Sequence, residues 1–194
     1  MEEQKTLYPL EPLDYTLEEE QSGHVILDSD ALIHFLALCP YGVEKYSYYF
    51  NHFPVLSMNM GIMETTEKVV KLILLLRSEN EINLKLLVNE VETLASLFGL
   101  SVTPTDEYYG WSYDADSELR KSYKEAYEKA YNKELKEVPT HGGLETGYIS
   151  RLFPDMDIVT MGPNCIDIHT PQERLEIKSL YEVHDFLKNW LGEL

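Results

Sequence analysis

The chain has 194 residues, 44% of them apolar, and its 34 acidic against 16 basic side chains leave a formal net charge of −18. That length suits one large domain or two small ones, and the apolar share excludes a wholly disordered chain. The charge rules against a nucleic-acid binder, which needs a basic footprint, and against docking on an anionic membrane surface. No apolar run approaches the roughly 20 residues that cross a bilayer. The start, Met1-Glu2-Glu3-Gln4-Lys5, lacks the basic region and apolar core of a signal peptide, so a cytoplasmic protein is expected. Cys39 and Cys165 are far apart and form no CxxC pair. They read as buried free thiols of a reducing compartment, with a disulfide or a reactive thiol as the alternative.

The first twenty residues carry seven acids and one lysine and read as a solvated lead-in to a strand near Tyr15. A helix is predicted over Ser29 to Leu38, capped by Asp28 or Ser29, with Leu32, Ile33, Phe35 and Leu36 on its apolar face and Pro40 and Gly42 as its stop. From Val55 to Met63 the pattern alternates: Leu56, Met58, Met60 and Ile62 fall on one face, Ser57, Asn59 and Gly61 on the other. Glu64 to Lys68 reads as a turn. Val69 to Leu76 is apolar on both faces, as an inner strand is, and Arg77 closes it. Leu84, Leu87, Val88, Val91, Leu94, Ala95 and Phe98 recur at helical spacing, and Gly99 suits the left-handed residue after a helix. Ser101 to Thr103 reads as a further strand. This β-α-β-β-α-β order predicts an α+β, ferredoxin-like sandwich.

The composition changes near Tyr108-Tyr109-Gly110-Trp111, and a boundary is expected there, dividing the chain into residues 1–110 and 111–194. The second half reads as α/β. A helix over Ser117 to Tyr131 has Leu119, Tyr123, Ala126, Tyr127 and Ala130 as its face and Glu125 spaced to pair with Lys129. Strands are expected at Leu135 to Val138 and Asp157 to Met161, with a helix between them over Leu144 to Phe153. A last helix opens with the capping-box pattern Ser179-x-x-Glu182 and carries the stripe Val183, Phe186, Leu187, Trp190, Leu191 and Leu194.

The sequence has no HExxH, GxSxG, GxGxxG or P-loop motif. Two loops after predicted strands remain as candidate sites. In Thr140-His141-Gly142-Gly143-Leu144-Glu145, paired glycines fit either a tight strand-to-helix turn or a close backbone approach to a ligand. In the loop Gly162 to Pro171, His169 is held between two prolines. It suits a metal ligand or general base, but lone histidines are mostly structural and a catalytic zinc takes about three protein ligands. His24, His34, His52 and His184 have no ligand neighbours and read as ordinary histidines. Arg77 reads as a solvated or ion-paired strand end, or as a bidentate clamp on a carboxylate; Asn59 stands on the polar side of the neighbouring strand.

Three stretches together resemble the C-terminal part of the aminoacyl-histidine (Xaa-His) dipeptidases, which belong to the carnosinase-like di-zinc peptidases. Pro154-Asp155-Met156-Asp157 through Gly162-Pro163 to His169-Thr170-Pro171-Gln172-Glu173-Arg174 is similar to the family's ending. His141-Gly142-Gly143-Leu144-Glu145-Thr146-Gly147 is similar to its His-Ala-Gly-Leu-Glu-Cys-Gly. Ser57-Met58-Asn59-Met60-Gly61 with Leu76-Arg77-Ser78 is similar to its Ser-Leu-Asn-Leu-Gly and Val-Arg-Ser. The resemblance implies that residues 1–110 are the later part of a lid and dimerisation domain and 111–194 the closing segment of the catalytic domain. It implies zinc as the cofactor, with His169 as the last zinc ligand, a dipeptide substrate and a homo-oligomer. Arg77 would hold the substrate's terminal carboxylate and Asn59 would contact the substrate, with Gly143 and Glu145 on a loop lining the pocket. Gln172 and Thr146 depart from the pattern, where the family has an acid and often a cysteine. The family's other zinc ligands and its general base precede the lid and are not among these residues. The chain alone is therefore expected to be inactive. The alternative is a stand-alone, non-catalytic module that dimerises or binds carboxylates. Left to itself, the second half is expected to expose unpaired edges at Leu135 to Val138 and Asp157 to Met161, and an under-covered stripe through Phe186 and Trp190.

Overall fold

The computed structural model describes residues 29–105 and 109–193. The strand expected near Tyr15, the Asp28 cap, His24, Tyr108 and Leu194 lie outside the described residues. Helix α1 (Ser29–Leu38) turns Phe35 inward, and Cys39 is buried one turn further on. Ile33, assigned to the apolar face by spacing, is exposed. Gly42, with φ 88°, redirects the chain into strand β1 (Gly42–Tyr46). This strand was not expected from its sequence, which carries two charges in five residues. It exists because β2 (Pro54–Thr65) offers it an edge: Gly42 pairs with Met58 and Val43 with Ser57, antiparallel.

A second antiparallel pairing joins β2 to β3 (Val70–Ser78), with Ser57 opposite Arg77 and Asn59 opposite Leu75. The sheet order is β1-β2-β3, so among the described residues β2 is the inner strand and β3, read as the inner one, lies at an edge. The register slips between Met60 and Ile62, at Gly61. An extra residue in one strand reverses which side chains face the core. Leu56, Met58 and Met60 point inward as the alternation implies, whereas Ile62 is 53% exposed, opposite the outward Ile73.

Helix α2 (Glu81–Leu97) lies on the inner face. Asn80 caps it by accepting from the Asn83 amide at 2.9 Å, and the Leu100 amide reaches back to the Ala95 carbonyl past Gly99 at φ 69°, a Schellman ending. Phe35, Cys39, Leu56, Met58, Leu87, Val91 and Ala95 form one buried cluster between the sheet and these two helices. Leu100 packs on it, but Ser101 to Thr103 forms no strand.

Residues 111–193 are stapled by helix contacts rather than by a sheet. Leu135 to Val138 and Asp157 to Met161 are not strands: a ladder needs a neighbour, and none is beside them among the described residues. The Asp157 carboxylate instead accepts from Ser117 Oγ at 2.6 Å and from the Leu119 amide at 2.8 Å, which anchors it to the N-terminus of α3 (Glu118–Tyr131). Helix α4 (Glu145–Leu152) follows the expected bounds closely. A hairpin of two-residue strands, β4 (Cys165–Ile166) with β5 (Arg174–Leu175), begins within the Gly162–Pro171 stretch read as a proline-stiffened loop and closes beyond it. Cys165 is exposed rather than buried; both cysteines are free thiols.

Helix α5 (Ile177–Leu191) starts two residues before Ser179. Ser179 is therefore not its cap: its hydroxyl donates to the Glu176 carbonyl and accepts from the Asn164 amide, both at 2.8 Å. The stripe expected to be bare is covered, with Phe186 7% and Trp190 5% exposed. Tyr123 lies edge-on to both, at 5.2 Å between ring centres, Tyr127 and Tyr131 flank Phe186, and Trp190 Nε1 donates to Ser122 Oγ. Lys129 reaches Glu193 rather than Glu125.

Candidate functional site

The sheet has two unlike faces. One lies on the helices; the other presents Ser57 and Asn59 from β2 and Leu75 and Arg77 from β3. Ser57 and Arg77 are direct cross-strand partners and Asn59 is one diagonal step away, so all three fall within side-chain reach of one another. Arg77 is exposed, and among the described residues no carboxylate lies within ion-pair distance of it.

A loop from the second half closes over this face. His141 places a ring nitrogen, Nε2, 2.6 Å from Ser57 Oγ, and its backbone carbonyl accepts from Arg77 Nη1 at 3.1 Å. Phe53, at the end of the β1–β2 loop, meets the imidazole edge to face. Burial, and after it the positive charge of Arg77, push the His141 imidazole below its ordinary titration range. The sequence leaves the His141 loop open between a tight turn and a ligand approach, and does not reveal this contact. Its partners lie 84 and 64 residues away, and no local pattern reports such a pairing.

The two halves also meet beside this point. At Gly147 and Gly110 a side chain has no room: a Cβ on Gly147 would run into the Tyr109 carbonyl, and one on Gly110 into the backbone of Ser78 and Glu79. Arg151 of α4 lies over the Tyr109 ring and pairs with Glu81 at the start of α2. The aromatic loop between β1 and β2 sends Tyr49 and Phe50 against Tyr113. Gly143 and Glu145 are both exposed, with Glu145 opening α4. Neither glycine of the pair at 142–143 has a positive φ, so no left-handed backbone is required there.

His169 is placed apart from these residues. It stands in the turn between β4 and β5 with φ 65°, exposed, its amide donating to Glu173 at 3.1 Å. Arg174 ties the turn by pairing with Asp167 at 2.7 Å. No contact among the described residues links this turn to Arg77 or His141.

The profile of peptidase family M20/M25/M40 matches residues 15–193. The chain belongs to this family. It is 28% identical to the cytosol non-specific dipeptidase of Escherichia coli (strain K12) over 179 residues, which is 92% of this chain and 37% of that protein. The crystal structure of aminoacylhistidine dipeptidase from Vibrio alginolyticus superposes on the whole of this chain with a TM-score of 0.88 and 28% identity, over 40% of its own length. The chain thus spans about two-fifths of the M20 relatives it matches. M20 peptidases are metal-dependent hydrolases, and the described residues can be tested for such a centre. No three His, Cys, Asp or Glu side chains among them come together in a way that could hold a metal ion. One exposed imidazole falls short of the roughly three protein ligands of a catalytic zinc, so the donor set described here does not fit a complete M20 centre.

Proposed function

We propose that this chain carries the substrate-holding part of a zinc-dependent M20 dipeptidase acting on Xaa-His dipeptides in the cytoplasm. Residues 1–110 act as the later part of its lid and 111–194 as the closing segment of its catalytic domain. Arg77 holds the terminal carboxylate of the dipeptide, Asn59 hydrogen-bonds its peptide group, Gly143 and Glu145 border it, and His169 is the single zinc ligand the chain contributes. The chain by itself does not turn substrate over. The observation that carries this reading is the exposed face on which Arg77 and Asn59 stand side by side, with the guanidinium bound to a carbonyl and to no acid among the described residues. Of arginine's five donors one is used there, and a carboxylate needs two for bidentate binding.

Titration calorimetry of glycyl-histidine and of glycyl-histamine, its analogue without the carboxylate, tests the reading. Weak binding of the first, loss of that binding in Arg77→Met, and no binding of the second are expected. Equal binding of both compounds would contradict it. We also propose self-association of this chain. Its apolar contact surface is the outer sheet face around Ile62, Ile73 and Leu75, all exposed, rather than the covered Phe186–Trp190 stripe.

A further inference from the structure

We propose that Ser57 and His141 act as a pair of positioning residues for Arg77. This rests on the reading of Arg77 as the carboxylate-holding residue and deepens it. Ser57 and Arg77 face each other across β2 and β3, so the backbone between them is rigid. His141 arrives from a separate segment and touches both. Its imidazole is held by Ser57 Oγ at 2.6 Å, and its carbonyl takes Arg77 Nη1 at 3.1 Å. Among the described residues the loop on each side is weakly tied: Thr140, Gly142 and Gly143 are exposed, and the hydrogen bond nearest by is from the Gly142 amide to Thr140 Oγ1, within the loop itself. The Ser57–His141 bond, with Phe53 on the ring, is therefore what fixes the 141 carbonyl in space. That carbonyl in turn fixes a long side chain with four rotatable bonds that is otherwise exposed. Holding one guanidinium donor restricts the plane of the remaining four and lowers the ordering cost of binding a planar carboxylate.

The same calorimetry on the full chain, with glycyl-histidine as the probe, tests the pair. Ser57→Ala is expected to weaken binding by roughly two- to tenfold, the scale of one neutral hydrogen bond. Ser57→Thr, which keeps a hydroxyl on a residue suited to a strand, is expected to restore it. His141→Ala keeps the carbonyl but loses the anchor. It should weaken binding to the same degree, and the double variant should be no weaker than either single one, since both remove the same link. Because His141 lies on a loop outside the buried cluster, its variant keeps the test open if Ser57→Ala fails to fold. Wild-type affinity in Ser57→Ala or in His141→Ala, with binding still lost in Arg77→Met, would overturn the positioning role and leave the carboxylate role of Arg77 standing. Additive losses in the double variant would overturn it as well. Absence of carboxylate-dependent binding in the wild type would instead remove the reading of Arg77 and the inference with it.

Discussion

His141 joins β2 and β3 from a loop that lies far along the chain, and its protonation state is part of that contact. Burial and the neighbouring guanidinium favour the neutral ring, so its folded value lies below the unfolded one of about 6.5. The unfolded chain then binds more protons than the folded one across that interval. The resulting stability is fully present above about pH 6.5 and is lost as pH falls through the folded value. Urea unfolding midpoints are expected to drop between pH 7 and 5 in the wild type, and to drop less in His141→Gln, which keeps a hydrogen-bonding group. Equal slopes would show that the ring is not held neutral. Part of this site can be read from sequence. Period-two alternation puts Ser57 and Asn59 on one side of a strand, and the Arg77 that ends the next strand needs only the observed register to join them. The closing contact cannot be read, because it depends on where a loop from the other half settles.

At the scale of elements, the helices and the strands β2 and β3 were legible, whereas β1 and the β4–β5 hairpin were not, and three expected strands did not form. Helices α1, α2, α3 and α4 carry their own hydrogen bonds, so caps and spacing define them. A strand exists only if another lies beside it. Charged β1 forms because β2 receives it, while apolar Asp157 to Met161 stays outside any sheet. The slip at Gly61 reverses Ile62, which no alternation count could foresee. Asp157 found a different use, as the acid at the start of α3, where its carboxylate meets the positive end of the helix and its free amides. These hydrogen bonds hold its carboxyl below the usual range against the opposing effect of burial. Asp157→Ala is expected to cost about 1 kcal/mol, the scale of a lost helix cap, in equilibrium unfolding. Phe186→Ala removes a buried ring from the tyrosine cluster and is expected to cost about 3–5 kcal/mol. A smaller loss for Phe186→Ala than for Asp157→Ala would mean that the α3–α5 pair is not packed as described.

Across the whole molecule, two small cores meet at a polar and aromatic seam. The sheet with α1 and α2 buries aliphatic side chains, and α3 with α5 buries aromatic ones. Between them lie His141, Arg151 and the close backbone contacts at Gly110 and Gly147. A net charge of −18 opposes any association of such chains, and salt screens it over a length that falls to about 10 Å at 0.1 M. Sedimentation equilibrium is expected to show association that strengthens from low to moderate salt. A monomer at both, at high concentration, would leave the exposed sheet face without the role proposed for it.

The central claim is that these residues hold a dipeptide but do not by themselves cleave it. Release of histidine from β-alanyl-histidine by the purified chain, measured with added zinc and again with a chelator, tests this most directly. No turnover above the uncatalysed background is predicted under either condition. Steady hydrolysis that the chelator abolishes would contradict it.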